Sequence, residues 1–99
     1  MSISKTKTNT VEFEAKFQAL LGHDRVVVRP YGHHLLIQLV TENKPETIAR
    51  VTRIKPNLYQ ASYRTHSGRW EQLPGEGNLS DICELAVDFL RPYFEPGNY

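Results

Sequence analysis

The sequence predicts an α+β domain: a four- to five-stranded antiparallel meander flanked by an N-terminal and a C-terminal helix that pack on one face of the sheet. Three observations predict it. Short segments rich in branched and aromatic residues recur through the middle of the chain, with turn-forming residues between them. The connections are too short to carry a crossover, so neighbouring strands must be antiparallel. Apolar residues recur at helical spacing only toward the two ends, and a helix with one apolar face must bury it against a sheet or another helix.

Met1 to Asn9 alternates Ser, Thr and Lys with almost nothing apolar to offset its ordering entropy, and is expected to form a flexible tail. From Val11, the residues Phe13, Phe17, Leu20 and Leu21 make one helical stripe that Gly22 would stop, which predicts a helix over 11–21. A strand is the rival reading, because Val11, Phe13, Ala15 and Phe17 also alternate with polar residues. Ala, Leu and Gln favour the helix. Strands are expected at 25–30, 35–41, 47–55, 58–65 and 69–73. Tyr31-Gly32, Asn43-Lys44-Pro45, Pro56-Asn57 and His66-Ser67-Gly68 supply the turns.

After Pro74-Gly75-Glu76-Gly77, Asn78 or Ser80 can cap a helix over 79–91 with a broad apolar face, and Pro92 sets its end. Residues 10–94 therefore form one domain, and 95–99 a C-terminal tail. The expected core is Phe13, Phe17, Leu20, Val27, Leu36, Ile37, Leu39, Ile54, Ile82, Ala86, Phe89 and Leu90. Strand side chains alternate between faces, so a register error of one residue in 35–41 would exchange its buried set.

The chain has 99 residues, enough for a single modest core. No apolar run exceeds three residues, far short of the roughly 20 of a membrane helix or the roughly 7–15 of a signal-peptide core, so no membrane association is expected. Cys83 is the single cysteine and can form no internal disulfide, which fits a cytoplasmic protein. The net charge of +1 hides an asymmetry. Residues 25–70 carry eight basic groups against two acidic, whereas residues 71–99 carry six acidic against Arg91 alone.

Chemistry-bearing motifs are sparse. His23-Asp24, His33-His34 and His66 lack the spacing of metal ligands, since adjacent strand residues point to opposite faces, so no metal site is expected. Cys83 lies among Ile82, Ala86 and Leu90, where it should act as a small buried hydrophobe rather than a nucleophile. There is no nucleophile elbow, phosphate-binding loop or dinucleotide fingerprint, so neither catalytic residues nor a cofactor are expected.

The strongest signal is the basic segment interleaved with aromatics. Arg29, Arg50, Arg53, Arg64, Arg69 and Trp70 are the candidate binding residues. Together they predict a small non-enzymatic protein-interaction or regulatory module that binds through a basic, aromatic-containing sheet surface. The expected partner is another protein, with a second copy of the chain as one form of it. The alternative is nucleic acid held by the same segment 25–70, where Arg and Lys would neutralise phosphates and aromatics would stack bases. An enzyme finds least support.

Overall fold

The computed structural model describes residues 2–42 and 44–95, with side chains from residue 9 onward. Helix α1 (Ser2–Leu21) leads into strands β1 (Val26–Tyr31), β2 (His34–Thr41), β3 (Lys44–Lys55), β4 (Leu58–Arg64) and β5 (Trp70–Gln72), then helix α2 (Leu79–Leu90) and a 3₁₀ turn, Arg91–Phe94. The strands lie in the order β1-β2-β3-β4-β5 with every neighbouring pair antiparallel. Both helices pack against this sheet. The molecule is therefore the α+β meander with terminal helices that the sequence predicts.

The N-terminal segment is helix rather than strand, and its backbone is helical from Ser2, well before the start of the apolar stripe. It stops where expected: Gly22 takes a positive φ of 87°, a conformation glycine adopts at little cost, and its N–H closes the last turn on Gln18 O at 2.8 Å. Asn78 caps α2 by accepting a hydrogen bond from Asp81 N at 2.8 Å. Of the expected turn at 43–45, Asn43 lies outside the described residues, and Lys44 and Pro45 already belong to β3. Of the expected tails, Met1 and residues 96–99 lie outside the described residues.

One sheet face and the inner faces of both helices form a single core. Val26, Val28, Leu35, Ile37, Leu39, Ala49, Val51 and Ala61 point from the sheet toward Phe13, Phe17, Leu21, Ile82, Cys83, Ala86, Val87 and Leu90. This outcome corrects five expected core positions. Leu35, Ile37 and Leu39 face the helices, so alternation leaves Val27 and Leu36 half-buried on the opposite face. Ile54 is 40% exposed, unpaired at the register irregularity between Arg53 and Lys55. Leu20 and Phe89 are 37% and 51% exposed.

The buried stripe of α2 runs through Ile82, Ala86 and Leu90. At 3.6 residues per turn, Phe89 lies roughly 100° from its centre. Phe89→Ala is therefore expected to cost under about 1 kcal/mol in denaturant melts. A loss of about 3 kcal/mol or more would put the ring back in the core. Phe94 is a further correction: the sequence offers it no periodic partner beyond Pro92, yet it is fully buried against Phe17.

The outer edge of β1 is not left bare. Glu14 of α1 accepts a hydrogen bond from Val28 N at 2.8 Å, and Gln18 donates to Val26 O at 2.7 Å. These side chains occupy backbone groups that would otherwise template a foreign strand. β5, at the opposite edge, is three residues long. Lys16 ties α1 to α2 through Ser80 Oγ and a 3.2 Å ion pair with Glu84. The helices thus cover one face and guard one edge, and among the described residues the other face of the sheet carries no layer.

Candidate functional site

The uncovered face can be read from the register. Arg29 pairs with Leu36, Leu36 with Arg50, Arg50 with Ser62 and Ser62 with Gln72, so these five residues form one row across all five strands. Strands lie about 4.8 Å apart, which puts Arg29 and Arg50 about 10 Å from each other on either side of Leu36. Alternation adds Val27 from β1 and His34, Gln38 and Val40 from β2. Thr52 joins from β3, Gln60 and Arg64 from β4, and Trp70 from β5.

The centre of this face is built by Arg50. Its guanidinium lies 4.3 Å from the centroid of the Trp70 ring, which fixes both side chains on one surface and makes a cation–π contact. Arg50 itself is half-buried, and its Nε is shielded from solvent with no acceptor. Nearby Gln38 donates to Thr47 Oγ1 at 3.0 Å, while its Oε1 is buried and has no donor. Buried polar atoms are normally paired, so these two atoms are exceptions among the described residues.

His34 is on the same face, with Nδ1 2.8 Å from Thr52 Oγ1. Partial burial holds its pKa below 6.5, with the charges of Arg50 and His33 acting in the same direction. The unfolded chain therefore binds more protons than the folded one just below pH 6.5, so stability should rise with pH through that window and level off above it. Wild-type protein is expected to lose more stability between pH 7.5 and pH 5 than His34→Gln. Equal losses would remove His34 from this account.

Of the sequence-derived candidates, the structure brings together Arg29, Arg50, Arg64 and Trp70. Arg64 stands at the border, since it also lines a groove of about 590 Å³ with Ile48, Tyr93, Glu46 and Glu95, a wall of both charges. Arg53 does not join them. It pairs with Tyr59 and lines a small pocket with Thr10, His33 and Leu79 on the helix side. Arg69 lies in the exposed turn before β5. Leu36 and Val27 were expected in the core, and only the strand register places them on this face.

Electrostatically the two sides differ. Among the described residues the strands contribute Arg29, Arg50 and Arg64 and no Asp or Glu to the uncovered face, and Glu76 reaches its border, accepting a 3.1 Å bond from Gln60 Nε2. Glu71 is on the helix side, where it accepts a 2.9 Å bond from the Tyr63 hydroxyl, and Glu46 pairs with Leu39 of the core face. Asp81, Glu84 and Asp88 lie exposed on α2. The charge asymmetry of the sequence is thus an asymmetry between faces.

Cys83 is fully buried, and burial pushes its thiol up to about 12, so it holds its proton at neutral pH. Among the described residues no three His, Cys, Asp or Glu side chains converge as metal ligands, and no helix is long and apolar enough to cross a membrane. Comparison with protein-family models, with curated proteins and with solved structures finds no match.

Proposed function

We propose that the protein is a non-enzymatic interaction module whose uncovered sheet face takes an acidic protein partner. The observation that carries this reading is the row Arg29-Leu36-Arg50: two arginines on either side of an aliphatic residue, neither of them in an ion pair among the described residues. Unpaired cations on a surface attract and orient an oppositely charged partner, while half-buried apolar groups supply contact area. The blocked β1 edge directs docking to the face rather than to an added strand. Cytoplasmic residence is part of the reading, given a single cysteine that is buried.

Nucleic acid is the second reading, favoured by the stacked Arg50–Trp70 pair, since guanidinium and indole planes are both platforms for bases. Capture from native lysate with and without nuclease separates the two, using wild type and the Arg29→Glu/Arg50→Glu variant side by side. The proposal expects a nuclease-resistant partner that the variant loses, with a shallow dependence on salt. A partner lost on nuclease treatment, with affinity falling steeply as salt rises, would replace it with the nucleic-acid reading.

A further inference from the structure

The shape of the uncovered face narrows the kind of partner. Val40, Val27 and Leu36 are half-buried and run along β1 and β2 toward Tyr31, which is 69% exposed. From Val40 to the His34–Tyr31 pair is six residues of strand, about 20 Å at 3.3 Å per residue. Arg29 stands on one side of this stripe and Arg50 on the other, about 10 Å apart. The seat is thus about 20 Å long and 10 Å wide, with Val27, Leu36 and Val40 interrupted by Gln38 along its floor and one arginine on each side of Leu36.

An α-helix is about 10–12 Å across with its side chains, and 20 Å of helix is about 13 residues. We infer that the occupant is an amphipathic helix of about four turns from a partner protein, apolar toward Leu36 and Val27 and acidic along both flanks. This inference rests on the proposed use of the face for binding. Such a helix would complete a three-layer arrangement, with the sheet between α1 and α2 on one side and the partner helix on the other.

Two other occupants fit less well. Bases stack on planar groups, and the Arg50–Trp70 pair that could offer them lies beside the Val27–Leu36 seat rather than in it. A second copy stacked face to face would set Arg29 and Arg50 against the same arginines. A second copy docking through the acidic outer side of α2 would build an open chain of molecules rather than a closed pair.

The test uses the full chain and four probes: a 14-residue helix-forming peptide with leucines on one face and glutamates on both flanks, the same peptide with lysine for glutamate, a scrambled glutamate–leucine peptide with no apolar face, and a deoxythymidine 15-mer. Titration calorimetry should detect the glutamate helix. The scrambled peptide and the Arg29→Glu/Arg50→Glu variant should each weaken binding at least about tenfold, and the lysine helix should not bind.

Equal binding of helix and scrambled peptide would overturn the helical partner while leaving an acid-binding face in place. No binding of either acidic peptide, or preference for the oligonucleotide, would overturn both. Sedimentation of the protein alone should give a monomer. Self-association that the double variant abolishes would assign the face to a second copy instead.

Discussion

Truncating Phe17 to alanine is expected to lower the unfolding free energy by about 3–5 kcal/mol, the range for a large aromatic removed from a packed interior. The ring is fully buried, 5.7 Å from Phe13 and 5.1 Å edge-on to Phe94. It therefore holds α1 to the 3₁₀ turn that closes the chain behind α2. A domain of this size has about 5–15 kcal/mol in total, so the loss threatens folding at physiological temperature. Denaturant melts of Phe17→Ala and Phe89→Ala make a matched pair, two phenylalanines on helices with opposite expected outcomes. Similar costs would contradict the assigned packing of the helices.

Reversing Arg29 and Arg50 to glutamate should weaken partner binding by about a hundredfold while the protein stays folded. Arg29 is exposed, and the internal contact Arg50 gives up is its position over Trp70, worth about 0.5–1 kcal/mol at a surface. Arg53→Glu is the control for the single reversal Arg50→Glu. Its charge changes equally, and sequence alone ranks it beside Arg50, but its side chain belongs to the other face, and its backbone N–H donates to His33 O at 2.9 Å. Arg53→Glu should leave affinity within about twofold of wild type, an effect expected of a charge outside the contact. Equal losses from the two reversals would mean that net charge, not the uncovered face, governs binding.

The fold was legible because local signals agreed with one another. Turn residues bracket every strand, Gly22 and Asn78 mark helix ends, and the terminal stripes have nowhere to bury except on the meander. What could not be read was which face of each strand turns inward. In Leu35 to Val40 both alternating sets contain leucines and differ mainly by Gln38, so composition leaves the choice open, and tertiary packing makes it. The sequence reading also grouped Arg50 with Arg53, although they are three apart in sequence, an odd spacing that puts them on opposite faces of β3. Phe94 was missed because a lone aromatic after a proline has no period to announce it.

The most direct measurement is an amide and indole chemical-shift map of the isotope-labelled protein titrated with the glutamate-flanked helix. Shifts should concentrate on Val27, Arg29, Leu36, Arg50, Ser62 and the Trp70 indole, leaving Arg53, Lys16 and the exposed side of α2 unmoved. Shifts centred on α2 or on the groove beside Tyr93, with the row from Arg29 to Gln72 silent, would contradict the assignment of binding to the uncovered face.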